Sequence, residues 1–279
     1  MKMSKLLVIL VAVAAFAGAV TAQQQAPAQA PPAPAGAAQG GRGGGRGGPP
    51  PTAQASAPFD LTGYWTSVVS EDWRWRMVTP AKGDYASVPL SPAGRQVADA
   101  WDLQKDKANG EECKAFGAAG LLRLPLRIHV TWADESTLKL ETDSGQQTRL
   151  FHFTGGDIGQ RTLQGYSAAQ WFKQQQSAGL GGGRGGGGAV AGGNLKVVTT
   201  NMKAGYLRKN GVPYSEDAVL TEYFNRHDEP NGDQWITTTR MVEDPKYLNQ
   251  PFITSESFKK EGDASKWHPT PCEVDPPRE

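Results

Sequence analysis

The chain has 279 residues, a formal net charge of +1, 38% hydrophobic residues, 34 glycines and 20 prolines. With a leader at 1–22 and two low-complexity tracts at 23–58 and 179–194 set aside, about 205 residues remain, enough for one domain with a buried core. This composition excludes a multi-pass membrane protein, a coiled coil and a strongly basic nucleic-acid-binding domain, and it names no reaction.

Five of the 29 basic residues (Lys2, Lys5, Arg42, Arg46 and Arg184) lie in the leader and the tracts, which hold no acid. The folded part therefore carries 24 basic against 28 acidic side chains, a net of −4. Such a body exerts no long-range pull on nucleic acid.

Residues 1–22, MKMSKLLVILVAVAAFAGAVTA, join a basic start to an apolar run from Leu6 to Ala17 and end on small residues. Val20 and Ala22 fit the −3 and −1 positions of a cleaved export signal. The run is short for a membrane span. The sequence thus predicts a periplasmic or extracellular protein that is not integral to the membrane. Residues 23–58 follow as an Ala/Gln/Pro stretch and then GGRGGGRGGPPP, which reads as a disordered linker.

From Phe59 the texture changes to short alternating apolar runs, and 59–279 reads as a single domain. Gly63–Val78 is predicted as a long strand or strand pair. On an unbroken strand Trp65, Trp73, Trp75 and Met77 share one face, and Asp72, Arg74 and Arg76 the other. Three readings stay open: a core face backed by solvated arginines, a ligand cavity lined by Trp73 and Trp75, or a carboxylate or phosphate contact through Arg74 and Arg76. Ser91 is placed to cap a helix that has Pro92 at its first position, buries Gly94, Val97, Ala98 and Trp101, and stops at Asn109-Gly110.

Arg127–Trp132, Thr137–Thr142 and Thr148–Phe153 are strands spaced as an antiparallel meander, with turns at 134–136 and 143–145. Ser167–Ser177 is predicted as a short helix leading into the Gly-rich insertion at 179–194. Ser167 lacks the nucleophile-elbow spacing and fits a helix cap. The insertion lacks the strand and helix that frame a phosphate loop, so no cofactor is implied. Leu195–Met202, Gly205–Lys209, Val219–His227, Trp235–Val242 and Phe252–Lys260 are further strands, with Asn210-Gly211 and Asn231-Gly232 as tight turns. Eight to ten strands, one or two short helices and no βαβ alternation predict a mainly β protein, an antiparallel β-barrel of the lipocalin/calycin kind, with a β-sandwich as the alternative.

The histidines (His129, His152, His227 and His268) show no metal-ligand spacing, and no metal is implied. Two cysteines in an exported chain, Cys113 and Cys272, suggest one disulfide closing a loop of about 160 residues.

Several segments together resemble a family of secreted bacterial proteins that has no assigned biochemical activity. They are Cys113 ahead of a Pro-containing strand region, then RLFHF, GYSAAQW, LKVVTTNM, GVPYSEDAVLTEYFNR, MVEDPKYLNQPF and PCEV, in that order over Cys113–Val274. The resemblance implies a single β-barrel-type domain with a cysteine near its end, as at Cys272. The chain departs from the family pattern at Tyr166, where His is common, at Tyr223, where Arg is common, and in the insertion after Trp171. Separately, Gly63-Tyr64-Trp65 looks like the G-x-W opening of lipocalins, which implies a barrel around a small ligand.

These readings converge on a secreted binding protein that holds an apolar, aromatic or sugar-like molecule in a β-barrel cavity, with Trp65, Trp73, Trp75, Met77, Arg74 and Arg76 as candidate lining. Two alternatives remain open. One is a hydrolase or isomerase using Glu71, Asp72, His129 or His152. The other is a structural or adhesion protein of the cell envelope.

Overall fold

The structure is a computed structural model that describes residues 49–173 and 193–278. Residues 1–48, which include the predicted leader, and 174–192, which include the end of the predicted Ser167–Ser177 helix and most of the insertion, lie outside the described residues. Among the described residues eleven strands form in chain order: β1 Gly63–Val68, β2 Arg127–Asp134, β3 Thr137–Thr142, β4 Thr148–His152, β5 Tyr166–Lys173, β6 Gly193–Thr200, β7 Gly205–Arg208, β8 Val212–Tyr214, β9 Val219–Asp228, β10 Gln234–Glu243 and β11 Phe252–Lys260. The helices are short: α1 Trp73–Arg76, α2 Pro92–Ala100, α3 Leu103–Ala108 and α4 Ala118–Leu121, with a 3-10 turn at Glu112–Phe116.

Nine strands close a barrel in the order β1-β11-β10-β9-β6-β5-β4-β3-β2, and β7 and β8 form a separate hairpin. The protein is therefore mainly β and a barrel, as its alternating runs predict. It is not wholly antiparallel, because β4 and β5 run parallel. The connection 153–165 contains enough chain to return to the end that β4 left before β5 starts, so no hairpin links the two.

The parallel seam is also the shortest ladder in the barrel, with only Phe151↔Ser167 and His152↔Ala168 in register. Side chains stitch it from inside. Arg149 on β4 donates to Thr199 Oγ1 on β6 at 3.0 Å, and Ser167 on β5 meets the same oxygen at 2.8 Å. A closed barrel with one weak ladder is thus fastened by polar groups that a uniform ladder does not need.

Local chemistry explains most boundaries. Asp134 Oδ1 accepts from Ser136 N and Oγ at 2.7 and 2.9 Å, which turns β2 into β3. Ser91 Oγ caps α2 by accepting from Gly94 N at 3.1 Å. The predicted helix breaks at Trp101, and Asp102 then caps α3 through Gln104 N at 2.8 Å. The β7–β8 turn uses Gly211 at φ +78°, with its Cα facing the Trp101 ring so closely that a Cβ there would lie 2.1 Å from Cγ.

Two further sequence expectations fail. Tyr166–Lys173 is a strand, because Ser167 and Ala169 face the core and the whole segment pairs with β6. The run Gly63–Val78 is a strand only to Val68, after which Asp72 takes a left-handed conformation at φ +53° and Trp73–Arg76 form a helical turn. The face shared by Trp65, Trp73, Trp75 and Met77 therefore does not exist.

Cys113 and Cys272 are disulfide-bonded, with a Cα–Cα distance of 5.1 Å. The bond ties the 3-10 turn to the C-terminal segment. That segment is also held by Thr270, which exchanges backbone hydrogen bonds of 2.9 Å with Asp143 and Gly145. Among the described residues no helix is long and apolar enough to cross a membrane.

Candidate functional site

Alternation sorts each barrel strand into an outer and an inner face, and the inner faces form two layers. Where β1, β3 and β6 begin and β2, β4 and β5 end, the inner residues are apolar: Trp65, Val130, Leu138, Phe151, Leu195 and Phe224 are buried there with Ile236 and Phe258. Toward the opposite end the same inner rows carry Arg149, Ser167, Thr199, Glu222, Arg240 and Glu256, all buried. That end is plugged by Glu112–Leu126, whose Leu121, Leu122, Leu124 and Leu126 pack into the core.

The apolar end opens into a recess of about 410 Å³ lined by Gln54, Phe59, Asp60, Leu61, Trp132 and Trp171, among others. Trp132 shares the inward face of Ile128 and Val130, and Trp171 that of Ser167 and Ala169. The rings interlock. Trp132 lies 5.6 Å from Phe153, Phe153 lies 5.1 Å from Trp171, and Phe59 meets Trp171 edge-on at 5.4 Å.

The N-terminal wall of this recess comes from residues that composition assigns to the linker. Trp171 Nε1 donates to Ala53 O at 2.9 Å, and Gln54 N donates to Glu135 O at 3.1 Å. Ala53 and Gln54, within the stretch that composition reads as a linker, are thus hydrogen-bonded to the barrel mouth. Asp60 stiffens the wall by accepting from Thr62 N and Oγ1 at 2.8 and 3.0 Å. The volume falls within the roughly 300–1,000 Å³ of small-molecule sites, and aromatic walls with a few fixed polar groups are their usual chemistry.

The polar layer is an ion network. Glu222 accepts from Arg149 Nη2 at 2.5 Å and from Arg240 Nε at 3.0 Å, and all three are fully buried. Arg240 Nη2 also donates to the carbonyls of Ala118 and Ala119 at 2.7 and 3.1 Å, satisfying the end of α4 from the barrel wall. Arg123 from the plug pairs with Glu256 at 3.2 Å and with Asp72 at 2.8 Å. Arg76 Nε donates to Arg123 O at 2.8 Å and pairs with Glu71.

Burial raises the Glu222 carboxyl, but Arg149 and Arg240 outweigh it and hold the group below the ordinary carboxylate range. At Glu256 burial wins, and the carboxyl is pushed up despite Arg240, Arg123 and Arg76.

The structure scatters the candidates taken from the first strand. Trp65 is wholly buried and donates to Leu61 O at 2.9 Å, a core role directly beneath the mouth. Trp73 is 64% exposed and Met77 is 50% exposed. Trp75 is half-buried beside the Arg208 guanidinium, Arg74 is exposed and pairs with Asp84, and Arg76 belongs to the buried network. The mouth is built instead by Trp132 and Trp171. Alternation along Arg127–Trp132 already puts Trp132 in phase with Ile128 and Val130. Trp171 is hidden by reading its strand as a helix.

His129 and His152 lie on the outer face. His129 stacks on Tyr64 at 4.0 Å, and His152 stacks on Tyr166 at 5.0 Å. Glu71 and Asp72 are held in the ion pairs described above. These four do not share one cavity. A second recess, about 460 Å³, lies beside the disulfide, with Lys114, Gln147, Gln164 and Lys203 in its lining and no aromatic ring.

No protein-family model, curated protein or solved structure matches the chain.

Proposed function

We propose that this chain is an exported small-ligand-binding protein that takes an apolar, aromatic or sugar-like molecule at the barrel mouth. The observation that carries the reading is the group of Phe59, Trp132 and Trp171 lining a recess of about 410 Å³, with Phe153 packed against both tryptophans and Gln54 and Asp60 at the wall. Flat rings bind the faces of aromatic and sugar rings, and the polar pair gives them orientation. The interior below is filled by Trp65 and its neighbours, so the ligand lies on the core rather than threading the barrel.

Export rests on the leader at 1–22. The Cys113–Cys272 bond suits an oxidising compartment. Barrel closure agrees with what the resemblance to the secreted family implies.

The test is a panel of aromatic compounds, mono- and disaccharides and fatty acids, read by tryptophan emission and melting temperature. One class should change the emission and raise the melting temperature saturably. Trp132→Ala and Trp171→Ala should each weaken binding at least tenfold, while Trp73→Ala leaves it unchanged. A panel that moves neither signal, or a loss seen equally with Trp73→Ala, removes the reading.

A further inference from the structure

The polar end of the protein carries a second feature that the mouth does not use. Among the described residues five arginines are buried in or beside the barrel: Arg76, Arg123, Arg149, Arg208 and Arg240. Four carboxylates pair with four of them: Glu222 binds Arg149 and Arg240, Glu256 and Asp72 bind Arg123, and Glu71 binds Arg76.

Arg208, at the end of β7, is 3% exposed, and its Nε, Nη1 and Nη2 all lack a hydrogen-bond partner. Arg76 Nη2 is buried and unpartnered as well. The Arg208 guanidinium lies 4.8 Å from the Trp75 ring centroid, and Arg74 lies 5.0 Å from the same ring. An indole face returns less than a buried unpaired guanidinium loses by leaving water. Burial is the main influence that pushes the Arg208 pKa down to about 10, and Arg123 adds to it against Asp72 and Asp84.

Trp75 lies on α1, so this short helical turn supplies the ring beside Arg208. That turn is reached through the left-handed Asp72, and Trp75 is itself half-exposed.

We propose that Arg208 forms a binding site for one oxyanion, a carboxylate or phosphate group of a small ligand, covered by the Trp75 ring, whose displacement admits the ligand. A planar guanidinium with three open nitrogens matches such a group with two parallel hydrogen bonds. The site is separate from the aromatic mouth and stands without it.

The test uses the whole purified chain at constant ionic strength, with chloride replaced stepwise by phosphate, sulfate, acetate or benzoate. Melting temperature and tryptophan emission are recorded. At least one oxyanion should raise the melting temperature saturably and change the emission. The phosphate and carboxylate arms distinguish which group the site takes. Arg208→Met should abolish the response and melt no lower than the wild type without anion, because it removes an unpaired buried charge. Should that variant not fold, Arg208→Lys keeps the charge but loses the fork, and should bind at least tenfold more weakly. No response to any of the four anions, or an equal response in the folded Arg208 variant, overturns the proposal.

Discussion

Replacing Glu222 by Gln tests whether the inner ion layer holds the barrel together. The substitution keeps size and shape but removes the charge that Arg149 and Arg240 share. Both guanidiniums are essentially without solvent contact, so neither can recover hydration. Breaking a buried pair from one side costs about 3–5 kcal/mol, because a charge is left uncompensated. Arg149 retains Thr199, and Arg240 retains the α4 carbonyls, so a loss near about 3 kcal/mol is expected. For a domain of this size each kcal/mol lowers the melting temperature by about 2–4 °C, giving a drop of about 6–12 °C. Urea unfolding should show a lower midpoint with an unchanged slope. Hydrogen exchange should quicken first in β4 and β5, because Arg149 fastens their short ladder. A loss under about 1 kcal/mol, or exchange that quickens equally everywhere, would refute the argument that this charge secures the seam.

Other outcomes follow from the same structure. The two buried glutamates give opposite pH dependences. Glu222, whose carboxyl is held below the ordinary 4.5, supplies stability above that pH that is lost as the pH falls through its folded value. Glu256, pushed above 4.5, supplies stability below that pH that fades as the pH rises through its folded value, so Glu256→Gln should flatten the decline on that side in a series of urea melts. Replacing Cys113 and Cys272 together by Ser should cost about 4–5 kcal/mol in the chain-entropy model, read from the urea midpoint. Gly211→Ala forces a Cβ against Trp101 at a positive φ, and should lower stability by about 1–3 kcal/mol in the same assay. Ser91→Ala should cost about 1 kcal/mol, and an unchanged melting temperature would show the α2 cap to be idle.

Most barrel strands were legible because one face is apolar. Thr137–Thr142 and Phe252–Lys260 form between the residues that alternation predicts, and the Asn-Gly pairs mark the turns. The errors have local causes. Trp-Arg-Trp-Arg alternates like a strand, but four residues are too few to show a helical period, and α1 is decided by packing on the plug. Ser167-Ala168-Ala169-Gln170 has helix-forming composition, and pairing with β6 overrides it.

The ion layer was readable in principle but was missed. Arg149 keeps phase with Phe151, Glu222 with Phe224, Arg240 with Ile236 and Val242, and Glu256 with Phe258. Each is a charge on an otherwise apolar face, and treating charges as outward hides that signal. The parallel seam was not readable, since a return loop has no period. The mouth needs both strands that carry its tryptophans, so losing one lost the site.

Closure has a consequence for how the molecule meets its own copies. The wall is a ring, so no wall strand is left with a bare row of amide and carbonyl groups along its whole length for a neighbouring chain to zip onto. The shortest join in that ring is the β4–β5 ladder, and a protein that loosens there uncovers sticky backbone and greasy interior together. The charges buried behind the join then guard against clumping as much as against unfolding.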